Sequence, residues 1–95
     1  MHQYPAYVHE DGQMVSTGTG MRIEWQEGPF VSAGLNGSMP EQPVRALIHR
    51  IEDLDSRLPC RQNRDIIMHL NQVLGLFDER TRERNSRGVL GRVAV

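Results

Sequence analysis

The chain has 95 residues, 38% of them apolar and 5% aromatic, with a formal net charge of −1. That length fits one small domain, and a domain of that size buries a modest fraction of its surface. One cysteine, Cys60, excludes an internal disulfide framework and a CxxC metal site, and it fits a reducing compartment. Aliphatic runs such as Ile66-Ile67-Met68 are far too short to span a membrane. The opening MHQYPAYVHEDGQ lacks the basic start and apolar centre of a signal peptide, so a soluble protein is expected.

The charge is unevenly spread. Residues 1–60 carry four arginines against eight carboxylates, net −4, whereas residues 61–95 carry seven arginines against four, net +3. The C-terminal third is therefore the candidate anion-binding part. All eleven basic residues are arginine and none is lysine. A GC-rich genome would explain that, and guanidinium forks also suit bidentate phosphate contacts; the composition alone does not choose.

Residues 1–20 are polar and turn-rich with no sustained period, which reads as an N-terminal tail with at most a short edge strand at Tyr4, Tyr7 and Val8. MRIEWQ then alternates, with Met21, Ile23 and Trp25 on one face and Arg22, Glu24 and Gln26 on the other, the pattern of a half-buried strand. Glu27-Gly28-Pro29 makes a turn and Phe30–Ala33 reads as the returning strand, so a β-hairpin is predicted over 21–33. Asn36-Gly37 suits positive φ, and Ser38 with Glu41 has the spacing of a capping box.

Val44, Leu47, Ile48, Ile51 and Leu54 recur at helical spacing, predicting a helix over about 40–56 that Pro59 stops. A second helix is predicted over about 61–85 with Gly88 after it. Counted in heptads, Asn63, Ile67, Leu70, Leu74, Phe77, Thr81 and Arg84 share one seam, apolar in the middle and polar at both ends. Gly75 inside this helix suggests a close approach by another helix. The short connection makes the helices an antiparallel hairpin. The predicted class is α+β: a short β-hairpin packed on a two-helix hairpin. A helical hairpin leaves two sides open, so burial of the second side by self-association into a homo-oligomer is expected.

Catalytic chemistry finds little support. No GxSxG, HExxH or GxxxxGKS occurs, so an enzyme is the least supported class, and neither a metal nor a cofactor is expected. His49 and His69 read as surface or partly buried histidines. Cys60 beside Arg61 has features that lower a thiol pKa, but no histidine adjoins it. Glu52, Asp53 and Asp55 read as a solvated acidic run. The arginines are more informative: Arg80, Arg84 and Arg87 lie at i, i+4, i+7 on one helical face. They either pair with Asp78, Glu79 and Glu83 on the surface or hold an anion.

Four blocks in order, Trp25-Gln26-Glu27-Gly28-Pro29, Gly34-Leu35-Asn36-Gly37, Cys60-Arg61-Gln62-Asn63, and Arg80-Thr81-Arg82-Glu83-Arg84 with Arg87-Gly88-Val89-Leu90-Gly91, resemble the Thoeris anti-defence proteins of the first kind. These phage and prophage proteins act as sponges for immune signals and share a helical-hairpin domain with the anti-CBASS cyclic-oligonucleotide sponges. The resemblance spans about residues 22–91. It implies a non-enzymatic protein in the cytoplasm of an infected bacterium, binding cyclic ADP-ribose isomers or cyclic di- or trinucleotides. It also implies a homo-oligomer, commonly a hexamer, with pockets between protomers. By position in the matching blocks, Asn63, Arg80 and Arg84 are the implied pocket residues: Asn63 hydrogen-bonding, Arg80 stacking or pairing, Arg84 on phosphate. Arg61 and Arg87 follow as further candidates. Trp25 could offer an aromatic face or be a core tryptophan. Relatives often carry phenylalanine before the Cys-Arg segment, where Asp53–Pro59 has no aromatic residue; Leu54, Leu58 or Arg57 would have to supply that contact. Two alternatives use no captured signal: a nucleic-acid-binding protein using the same arginines on phosphates, and a plain assembly hairpin. Against the former stand the net charge and the lack of any aromatic residue after Phe77.

Overall fold

A computed structural model describes residues 6–87. Three strands, β1 (Ala6–Glu10), β2 (Gln13–Gly18) and β3 (Met21–Glu24), form an antiparallel sheet in the order β1-β2-β3. Three helices follow: α1 (Phe30–Ala33), α2 (Glu41–Arg57) and α3 (Arg61–Ser86). The class is α+β, as the sequence predicts. The described residues divide into two compact units, one ending at Met39 and the other beginning at Pro40.

The sheet corrects the reading of residues 1–20 as a tail. Asp11 and Gly12 both take positive φ, 53° and 83°, the two-residue turn that matches the twist of a hairpin. Residues 6–18 therefore pair as β1 and β2, with Glu10 opposite Gln13 and Val8 opposite Val15; residues 1–5 lie outside the described set. β2 then pairs with β3, with Ser16 opposite Ile23. Val15, fully buried, is the centre of this unit. Directly opposed residues share a sheet face, so Val15 lies with Val8 and Glu24, while Tyr7, Ser16 and Ile23 lie on the reverse.

Residues 30–33 are also corrected: they form one helical turn, not a returning strand. Pro29 sets φ at −67°, and its carbonyl accepts from the Ser32 and Ala33 N–H groups, after which Gly34 donates to the Phe30 carbonyl. Gly34, at φ 75°, ends the turn in a conformation that glycine adopts freely. The edge of β3 is occupied instead by Ser38, whose N–H donates to Glu24 O while its carbonyl accepts from Gln26 N. Gly37 is required by this approach rather than by positive φ. A Cβ there would sit 2.6 Å from backbone atoms of Glu24 and Trp25.

The second unit is an antiparallel hairpin of α2 and α3. The capping box does not form: Pro40 occupies the N-cap with helical φ and ψ, and Ser38 Oγ donates to Met39 O. α2 turns inward Val44, Ile51 and Leu54, all half-buried, and Ile48, 7% exposed and the buried core residue of this unit. Cys60 caps α3, its Sγ accepting from Asn63 N, and its own N–H donates to Asp55 Oδ1. Asp55 is thus a connector rather than part of a solvated acidic run. α3 has 26 residues, about 39 Å, against 17 in α2. The heptad seam is present: Asn63, Ile67, Leu70, Leu74, Phe77, Thr81 and Arg84 are half-buried, and apart from Asp65 and Arg80 the rest of α3 through Arg87 is exposed. Within the chain nothing approaches Gly75 closely: among the described residues nothing lies within 4 Å of a Cβ built there. Among the described residues no helix is long and apolar enough to cross a membrane.

Candidate functional site: unpaired arginines on the last helix

The ten described arginines separate into two groups. Arg22, Arg50, Arg57, Arg61, Arg82 and Arg87 are committed to carboxylates, most of them at i+3 or i+4 on the same helix face. Among the described residues no ion pair reaches Arg45, Arg64, Arg80 or Arg84. Of those four, only Arg80 and Arg84 are half-buried. They are one helical turn apart, so both forks leave α3 on the same side.

Arg80 is the more constrained. Its guanidinium carbon lies 5.4 Å from the centroid of the Phe77 ring, a cation–π distance. Its Nε is buried without a hydrogen-bond partner among the described residues. An orphaned donor at a buried position costs free energy until something accepts from it. Arg80, Phe77, Val73 and Leu76 line a cavity of about 230 Å³. A cationic fork at the rim of an apolar hollow is suited to an anion attached to a flat ring, the phosphate taking the fork and the ring the hollow.

The other predicted residues are placed differently. Asn63 is half-buried in the first turn of α3, where its N–H is held by Cys60. It stands 17 positions before Arg80 and 21 before Arg84, about 26 and 32 Å along one helix. One chain therefore does not bring Asn63 to the two arginines. Arg61 pairs with Asp65 at 3.0 Å and Arg87 with Glu83 at 3.4 Å, both exposed, so each is already engaged. Trp25 belongs to the sheet unit: its Nε1 donates to Ser16 Oγ at 2.7 Å and its N–H to Met14 O. Of the substitutes for the absent loop aromatic, Arg57 is tied to Asp53 at 2.6 Å and Leu54 is half-buried. Leu58, 78% exposed at the hairpin connection, is the residue left free to make a contact.

Two features escape the sequence reading. The first is the Arg80 cavity, walled by Val73 and Leu76: Val73 reads in the sequence as part of the buried side of the helix but is 37% exposed, and Leu76 lies off the heptad seam. The second is a network of amide side chains in the sheet unit. Asn36 accepts from Glu27 N and donates to Glu27 O, both at 2.9 Å. Gln26 Oε1 accepts from Asn36 N and Gly37 N, while its Nε2 donates to Gly34 O. Gln13 Nε2 donates to Trp25 O and Asn36 O. The blocks Trp25–Pro29 and Gly34–Gly37 are thus two sides of one latch.

No protein-family model matches the chain. It is 36% identical over 70 residues to Thoeris anti-defense 1 from Bacillus phage SBSphiJ7, an alignment covering 73% of this chain and 49% of that protein. The chain belongs to the Thoeris anti-defence family. It spans about half the length of the curated relative it matches. The two interlocking blocks spend their polar groups on each other, whereas among the described residues no ion pair holds Arg80 or Arg84. Among the described residues no cluster of three or more His, Cys, Asp or Glu is placed to hold a metal ion.

Proposed function

We propose that the chain is a phage anti-defence protein that captures a cyclic nucleotide immune signal without cleaving it. The ligand class is the cyclic ADP-ribose isomers, with cyclic di- and trinucleotides as the wider set. Sequestration holds the free signal below the concentration that activates a Thoeris or CBASS effector, in the cytoplasm of the infected host. The single observation that carries this reading is the pair Arg80 and Arg84: both half-buried, both without carboxylate partners among the described residues, and Arg80 lining an apolar cavity one helical turn from Arg84. Membership in the Thoeris anti-defence family supports the role.

In this reading Arg84 meets a phosphate through a bidentate fork, and Arg80 keeps its face on Phe77 while offering Nε to a ligand oxygen. Asn63 supplies an amide to base or ribose. Because Asn63 is about 32 Å from Arg84 on one helix, a pocket holding both takes α3 from two chains. Antiparallel pairing about residues 73–74 puts Asn63 of one chain opposite Arg84 of the partner subunit. Ile66, Val73 and Leu76, between 37% and 64% exposed, supply the apolar surface for that contact, and an assembly of such pairs, a hexamer included, then carries several equal pockets.

Calorimetry against a panel of cyclic ADP-ribose isomers and cyclic di- and trinucleotides tests the proposal. Micromolar or tighter binding of at least one, with the ligand recovered intact by mass spectrometry after denaturation, is the expected result. Binding of none, or recovery only of hydrolysed ligand, contradicts it.

A further inference from the structure

Among the described residues β1 is the open edge of the sheet. At the opposite edge, β3 is closed by the bridge between Trp25 and Ser38. All five residues of β1 are exposed, Tyr7 at 65% and Val8 at 45%. Strand edges left bare are ordinarily guarded by lysine, proline or a bulge, and β1, reading Ala-Tyr-Val-His-Glu, contains none of these.

The direction of its free backbone groups follows from the turn. With Asp11 and Gly12 at positive φ, the turn hydrogen bond runs from Gln13 N–H to the Glu10 carbonyl. Antiparallel pairs alternate between bonded and non-bonded, so Glu10, Val8 and Ala6 direct their N–H and C=O groups towards β2. Tyr7 and His9 direct theirs outward. An independent contact agrees: Met14, opposite His9, spends its carbonyl on Trp25 N and its N–H on Glu27 Oε2, both away from β1.

We propose that β1 is an interface with a second copy of this chain, the two β1 strands pairing antiparallel about a two-fold axis at Val8 to make one six-stranded sheet. The edge is self-complementary in that register. Tyr7 of each copy falls opposite His9 of the other, and each such pair exchanges two backbone hydrogen bonds, which satisfies all the outward groups of both residues. The rings of Tyr7 and His9, already edge-to-face at 6.2 Å within one strand, join those of the second copy into a four-ring cluster. Charge is also compatible: Glu10 falls opposite Ala6, so no two carboxylates face each other, and each Glu10 is held by Arg22 of its own chain at 2.8 Å. This interface is independent of any ligand and of the pairing of α3 helices.

The test uses cysteine pairing. At the two-fold, Val8 faces Val8 as a non-bonded pair with Cα atoms about 4.5 Å apart, within disulfide reach. In a Cys60→Ser background, which keeps an oxygen to cap α3, Val8→Cys is equilibrated with a glutathione redox buffer, with Ser32→Cys as the exposed collision control. A disulfide-linked dimer at least about tenfold above the control is expected from that geometry. Adding Tyr7→Pro, which removes an outward N–H and leaves the pairing with β2 intact, should abolish it while the far-ultraviolet circular dichroism is kept. Cross-linking no greater than the control overturns the proposal. So does protection of the Tyr7 and His9 amides from hydrogen exchange in a protein that stays monomeric, since another segment would then occupy the edge.

Discussion

The sheet unit and the helical hairpin settle their polar groups in opposite ways. In the loop from Trp25 to Ser38, Gln13, Gln26, Glu27 and Asn36 hydrogen-bond to backbone across the latch and leave little to offer a ligand. In the hairpin, Arg80 Nε and Glu41 Oε1 are buried without partners among the described residues, and Ile66, Val73 and Leu76 are exposed. A unit that satisfies its own polar atoms is a frame; a unit that leaves them open needs something from outside. That contrast, rather than the number of arginines, is what points the proposed binding to α3.

The strongest way to break the contrast is at one tightly packed position in each unit. Ile48→Ala should destabilise the hairpin by about 3 kcal/mol, read as an earlier urea midpoint for the helical signal. Gly37→Ala forces a Cβ against the Glu24 and Trp25 backbone and should cost the sheet unit about 2 kcal/mol, followed by tryptophan fluorescence because Trp25 is the only tryptophan. Asn36→Ala removes both latch bonds to Glu27 and should cost about 1–2 kcal/mol in the same fluorescence melt. Arg61→Ala, by contrast, should change stability by less than about 0.5 kcal/mol, because its pair with Asp65 is exposed. The smallest effect is a pH response of the sheet. The Arg22 guanidinium, by hydrogen bond and then by charge, holds Glu10 below its ordinary value of 4.5. A depressed carboxyl stabilises the fold above its unfolded value, and that contribution fades as pH falls from about 4.5 through the lower folded value. Melting curves between pH 6 and pH 3 should show this slope, reduced in Arg22→Gln.

Much of the hairpin was legible because a heptad seam over six turns is a strong periodic signal, and the half-burial of Asn63 and Arg84 at its two ends follows it residue by residue. The strands were harder. β1 is exposed on every residue, so its sequence carries no alternation, and the Asp11-Gly12 turn was the one local clue. Phe30–Ala33 has strand-like composition, but Pro29 and Gly34 frame it as a single helical turn, and the edge it would have joined is held by Ser38. Asn36-Gly37 looked like a turn and is instead half of a latch. At the candidate site, sequence spacing placed Arg80 and Arg84 on one face. Only geometry separated them from Arg61 and Arg87, whose nearby carboxylates already hold them.

The most direct measurement is a calorimetric comparison of Arg80→Ala, Arg84→Ala and Arg61→Ala with the unaltered chain, using the tightest cyclic nucleotide found in the panel. Losing one hydrogen-bonded fork on a phosphate corresponds to about 100-fold in affinity. The account predicts a loss of that size for each of the two unpaired arginines and almost none for Arg61→Ala. Equal affinity across all three variants, or a loss confined to Arg61→Ala, would contradict it.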